Sequence, residues 1–278
     1  MNLVKQIQEW QDIASAITPP NENIKGAKGR HLGIVFFPEG LGLQNPKREA
    51  SHEPWPDILV IGHNFGTLKS LEDLKGCGEE RKPTWGNFSK LLGEIEKKHP
   101  TDRPLMNRCF MTNWFVGFPL KQRGEFLADH SCTEHCSPPL ICPHRKYVEL
   151  CRNLLIAQIR TLQPRVILLL GAHVIRRVHA IAPHDSTLRA WKNASKDSFF
   201  RCIDIIGPVA FNVYVPEADI HTNLVALVHP SEQRNHAHRG HPPPGTAKKG
   251  IEFQERMKKG RDYEKAKILD GIEKACVP

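Results

Sequence analysis

No apolar run in this 278-residue chain approaches the length of a membrane span. The first segment, MNLVKQIQEWQDIASAI, mixes acidic and polar residues among its apolar positions, so it reads as an amphipathic helix and not as a cleaved export signal. These two absences lead to the expectation of an intracellular protein, cytoplasmic in a bacterium or nuclear in a eukaryote, with no membrane partner. No internal repeat is present, which excludes a solenoid. No cysteine precedes Cys77, and without an export signal the eight cysteines are expected to stay reduced, as core residues, metal ligands or reactive thiols. Acidic residues are short, 30 against 39 Lys and Arg; the resulting net charge of +9 fits an anionic partner, nucleic acid first.

What is present is enough apolar residue to bury a sizeable core without disulfides. The expectation is a single domain over 1–278, with a core at about 55–240, an N-terminal extension at 1–54 and a C-terminal helix at 251–278. Four short apolar runs read as strands buried on both faces: Ile58–Ile61, Cys109–Met111, Val166–Leu170 and Leu224–Val228. Helical periodicity lies between them, from Trp85 to Lys97 and along Val148, Cys151, Leu155, Ile159 and Leu162, which precede Pro164. Strands that alternate with helices predict a three-layer α/β/α sandwich with a central four-stranded parallel sheet, plus N-terminal and C-terminal helical extensions. Leu32–Phe37 is a possible extra strand, residues 236–250 read as a basic loop, and the lysine-rich pattern of Ile251–Ala275 predicts a solvated outer helix.

Functional residues of parallel sheets gather beyond the carboxyl ends of the strands. Here the first run ends in Gly62-His63-Asn64-Phe65-Gly66, the second in Thr112-Asn113-Trp114 and the fourth in His229-Pro230-Ser231, so three polar clusters are expected to face one crevice. The third ends in Gly171-Ala172, which offers a helix start and little chemistry.

Four motifs in order, GHNFG at 62–66, MTNW at 111–114, QIRTLQPRVILLLGA at 158–172 and LVHPSEQRN at 227–235, resemble the uracil-DNA glycosylase superfamily. The first is most similar to the G-x-N-P-G of the mismatch-specific and single-strand-selective branches. The segment around Cys151 looks more like the thermophile-type branch that carries an iron–sulfur cluster. The resemblance implies a monofunctional DNA glycosylase of base excision repair: a hydrolase that flips uracil or a related deaminated base out of single- or double-stranded DNA and cuts its N-glycosidic bond. The product is an abasic site, with no lysine placed to form a Schiff base. The same fold without catalysis would be a damage-sensing nucleic-acid-binding protein, favoured by Phe65 and Thr84 and opposed by Asn64, Asn113 and His229. A monomer is expected.

The resemblance assigns roles residue by residue. His229 would donate an N–H to the base O2 as negative charge develops there, a contribution of about 2.7–4 kcal/mol per donor in other enzymes. Asn64 would position the attacking water; an amide orients water but is a poor base, which implies a slow enzyme. His63 beside it could serve as a base instead, although neighbours leaving a strand usually point to opposite sides. Asn113 would read the Watson–Crick edge of uracil, accepting from N3–H and donating to O4. Gly62, Phe65, Gly66 and Ser231 would line the same pocket. Phe65 stands where the family usually has proline. Gly66 stands where the most uracil-selective branch has a tyrosine that blocks the thymine methyl. For the aromatic floor, the family's P-F-x-G corresponds to Pro83-Thr84-Trp85-Gly86, where Thr84 cannot stack, so either Trp85 or Phe65 takes the role or the pocket is altered. The loop carrying Gln233, Arg234 and Asn235 would enter the minor groove and contact phosphate.

The segment HSCTEHCSPPLICPH is dense in soft ligands. Cys132 and Cys136 have zinc-like spacing, and Cys142 and Cys151 extend the set. Cys151 matches one cluster ligand of the thermophile-type branch, whose N-terminal cysteine pair this chain lacks. A metal-free loop is the leading expectation, with no cofactor; zinc and an iron–sulfur cluster are the alternatives, and a zinc-dependent nucleic-acid protein is the corresponding functional one.

Overall fold

The computed structural model describes residues 3–17, 24–25, 56–63, 83–116, 118–119, 143–195, 198–230 and 251–275. Among these, no helix is long and apolar enough to cross a membrane. The possible strand at Leu32–Phe37 and the basic loop at 236–250 lie outside the described residues.

The chain opens with helix α1 (Leu3–Ala16), which buries Trp10, Ala14 and, one residue beyond its end, Ile17. These sit at helical steps of four and three, so one stripe faces inward. Strand β1 (Ile24–Lys25) follows, then β2 (Ile58–Gly62), buried at every position. Burial on both faces is what an unbroken apolar run requires. Helix α2 (Pro83–Lys98) starts on a proline, whose fixed φ suits a first turn, and buries Phe88, Leu91, Leu92 and Ile95. A short helix α3 (Leu105–Arg108) runs directly into β3 (Cys109–Asn113), and β4 (Phe118–Pro119) pairs antiparallel with β1.

Helix α4 (Pro143–Leu162) presents Tyr147, Cys151, Leu154, Leu155, Ile159 and Leu162 to the core. Strand β5 (Val166–Leu170) ends at Gly171, and α5 (Ala172–Arg177) begins at once. Helix α6 (Ser186–Asn193) is capped by Asp185, whose carboxylate accepts from Leu188 N–H at 2.9 Å. Then come α7 (Phe199–Ile206), β6 (Val209–Val215), β7 (Ile220–Leu227) and α8 (Ile251–Glu273).

Among the described residues the central sheet has five strands in the order β3-β2-β5-β7-β6. The four predicted strands are there and mutually parallel, while β6 is a fifth, antiparallel edge strand that the four-stranded expectation lacked. Its burial does not alternate cleanly: Phe211 and Asn212 both face outward at a register shift between Ala210 and Val213, where Asn212 has φ +51°. A bulge of this kind breaks the period-two signal by which a strand is read.

Residues in register on parallel neighbours share a face. Phe110, Leu59, Ile167 and Leu224 form one row, and Trp10 of α1 meets Phe110 edge-on at 5.4 Å. The next row, with Val60, Leu168 and Val225, faces α8, whose Gly271 lies against Val225. Helices thus cover both faces, giving the α/β/α sandwich. At the opposite edge from the predicted crevice, Arg108 makes a two-pronged ion pair with Asp57, at 2.9 and 2.7 Å.

The last helix corrects the expectation of a solvated outer element. Gly260, Glu264, Lys267, Ile268 and Gly271 are buried along one stripe of α8. Only one of these is a large apolar residue, so hydrophobic patterning did not reveal the inward face.

Candidate active site

Parallel strands end on one edge of a sheet, so β2, β3, β5 and β7 deliver Gly62, Asn113, Leu170 and Leu227 to a common rim. The backbone bonding continues past the strands: Trp114 N–H donates to the Gly62 carbonyl at 2.9 Å, Phe115 N–H to His63 at 3.1 Å, and Gly171 N–H to Leu227 at 2.8 Å. The residues just beyond each strand are therefore held in place by the sheet itself.

Asn113 is buried, and its side-chain oxygen lies over Gly62: a Cβ built on that glycine would come within 2.3 Å of it. Only glycine leaves room for this amide. On the far side of the rim, Gly171 adopts φ +91° beside His229, where an added Cβ would lie 3.1 Å from the His229 Cβ. Burial, and secondarily the neighbouring His173, hold the His229 imidazole below its ordinary pKa of 6.5. At neutral pH the ring is uncharged and offers one N–H donor and one acceptor.

Between these two rims stands a group of rings. His63 stacks on His173 with centroids 4.8 Å apart and meets the edge of Phe115 at 5.3 Å. The Arg177 guanidinium lies 5.0 Å from the Phe115 ring centre, a cation–π contact. Burial lowers the Arg177 pKa to about 10, which leaves it charged at neutral pH. Phe115 in turn stacks on Tyr147 at 5.9 Å, and the Tyr147 hydroxyl donates to the Val116 carbonyl at 2.5 Å.

A model of the uracil DNA glycosylase superfamily matches residues 56–253. The chain belongs to that superfamily. No curated protein matches the sequence. Members of the uracil DNA glycosylase superfamily typically hydrolyse N-glycosidic bonds in DNA, and the match contains the whole central sheet and the rim just described. Most of α8, and all of α1, lie beyond it.

Of the residues singled out in the sequence, Gly62, His63, Asn113 and His229 stand on the rim. Asn64, Phe65, Gly66, Ser231, Gln233, Arg234 and Asn235 lie outside the described residues. Trp85 falls in the first turn of α2; its backbone is helical, and its side chain is outside the description. Three rim residues escaped the sequence reading. His173 and Arg177 sit on α5, directly after the β5 end thought to offer little chemistry, and Phe115 lies two residues past Asn113. The strand-end rule points toward His173, three residues past β5, but not to Arg177, which lies at the far end of α5.

Cys151 is buried in α4 beside Tyr147, with its thiol pKa pushed up to about 11 by burial. A thiolate ligand there would have to offset that burial. Cys132, Cys136 and Cys142 lie outside the described residues. Among the described residues, no group of three or more His, Cys, Asp or Glu side chains is arranged to hold a metal.

Proposed function

We propose that the protein is a monofunctional DNA glycosylase that turns uracil or a related deaminated base onto this rim and hydrolyses its N-glycosidic bond. The observation that carries this reading is a neutral, part-buried His229 on the same rim as a buried Asn113. Their strands are separated by β2 and β5, which puts the two backbones about 14 Å apart at one strand spacing per step.

The chemistry follows from the charges. Breaking the bond leaves negative charge on the departing pyrimidine and positive charge on the sugar. A neutral imidazole N–H directed at the base O2 stabilises the first without the cost of holding a buried cation. Asn113 supplies one acceptor and one donor, the pattern complementary to N3–H and O4 of uracil; cytosine presents the reverse order. Asn64, next to His63, would orient the water. A net charge of +9 favours approach to DNA.

The test is incubation with a uracil-containing oligonucleotide followed by alkali. Strand scission at the uracil is expected, and His229→Ala should lower its rate by about 10²–10³-fold while leaving the thermal midpoint near that of wild type. Binding without scission across uracil, hypoxanthine, xanthine and mispaired thymine would overturn the proposal in favour of a damage-binding protein.

A further inference from the structure

Strand β7 leads into His229, and the last backbone groups before that residue have an unusual partner. On the β6 side the sheet bonding stops where Ala226 N–H donates to the Pro208 carbonyl at 2.8 Å. Two backbone groups beyond that point face the same way and, among the described residues, have no strand beside them: the carbonyl of Ala226 and the N–H of Val228. Helix α8 meets both. Lys267 Nζ donates to the Ala226 carbonyl at 2.7 Å, and the Glu264 carboxylate accepts from Val228 N–H at 3.2 Å. The two side chains also pair with each other at 2.8 Å and are almost wholly buried, 3% and 2% exposed.

A buried ion pair is a poor way to gain stability, because apolar residues of the same size usually do as well or better. What an apolar pair could not supply is one donor and one acceptor at the spacing of a missing strand. Lys267 and Glu264 provide that combination. One residue past His229 there is a third hold: Asn87 of α2 donates to the Pro230 carbonyl at 3.1 Å. The His229 backbone is therefore gripped on both sides by side chains, at the point where the sheet no longer fixes it.

We propose that Glu264 and Lys267 are positioning residues which set the His229 imidazole on the rim by fixing the Ala226–Val228 backbone. The proposal rests on the reading of His229 as the base-contacting histidine. It makes α8, which lies almost entirely beyond the family match, a working part of the site. The helix has independent anchors that should keep it docked when the pair is removed. Ile268 is fully buried, Asn223 donates to the Gly271 carbonyl at 3.0 Å, and Lys265 bridges to Glu94 of α2 at 2.8 Å.

The experiment compares wild type with Glu264→Leu/Lys267→Met, which removes both grips and leaves no lone buried charge. Two readouts are taken on the full chain: the His229 ring signals in ¹⁵N NMR, assigned by their loss in His229→Ala, and steady-state kinetics on a uracil oligonucleotide. Displaced His229 signals are expected, with kcat lower by about tenfold or more and KM little changed. Glu264→Gln/Lys267→Met returns an acceptor to Val228 N–H and should move the signals back toward wild type; it also serves as the test variant should the Leu/Met protein not fold. A folded variant whose His229 signals superimpose on those of wild type overturns the proposal, as does activity lost only in proportion to the folded fraction. Wild type that fails to cut uracil sinks the proposed function instead, and the NMR comparison still decides whether the pair positions His229.

Discussion

At the scale of single residues, the rim depends on two places where a side chain would not fit. Gly62 yields its space to the Asn113 amide, so Gly62→Ala must push that amide aside by more than a small relaxation. The expected result is a folded protein with kcat/KM on uracil reduced by up to about a hundredfold, since a displacement of about an ångström at a reading group has that scale of effect. Circular dichroism alongside single-turnover rates would check it; an unchanged rate would remove Asn113 from base reading. Asn113 and His229 were expected on the rim because each follows the carboxyl end of an apolar run, while their roles came from the resemblance alone. His173 and Arg177 were not, because AHVIRR reads as an ordinary basic helix face. Nothing local shows that the first of these stacks on His63 and the second lies against Phe115.

At the scale of elements, the legibility of each one followed its chemistry. Strand β5 appears in sequence as it does in the structure, bracketed by Pro164 and Gly171 and apolar throughout. Strand β7 starts four residues earlier than its apolar run, because Ile220–Thr222 hold their place by pairing with β6 and Asn223 by pairing with β5, and not by burying greasy side chains. Helix α8 hid its inner face behind two glycines, a glutamate and a lysine. Such a face packs closely: a Cβ on Gly271 would lie 2.5 Å from the Val225 methyl. Gly271→Ala should therefore destabilise the fold by about 1–3 kcal/mol as an overpacked contact, in spite of alanine's better helix propensity. Urea unfolding would register it as a lower midpoint with an unchanged slope. A midpoint that rises would mean that α8 does not approach the sheet this closely.

At the scale of the whole molecule, pH acts on stability and activity in the same direction. Burial lowers the pKa of both His229 and His179 from 6.5, so the unfolded chain binds more protons than the folded one as pH falls through that value. The stability that these two neutral rings contribute is present above pH 6.5 and is lost toward their lower folded values. The carboxylates whose pKa is lowered by ion pairing, Glu94, Glu217 and Asp262, act only below their ordinary values of 4.5, 4.5 and 3.8, so they leave this window clear. Thermal midpoints should drop between about pH 7.5 and about pH 5.5, and kcat/KM should fall on the acid side with an inflection below that of free histidine. An inflection at or above the free-histidine value would show that His229 is not held neutral by its surroundings.

The order in which the chain is synthesised gives the buried Glu264–Lys267 pair one more consequence. The whole parallel sheet emerges from the ribosome before α8 does, yet the end of β7 is completed only when that helix docks. A polypeptide cut short near residue 250 would already hold the parallel strands and the histidine but lack the clasp, and the proposed glycosidic chemistry would run slow in it.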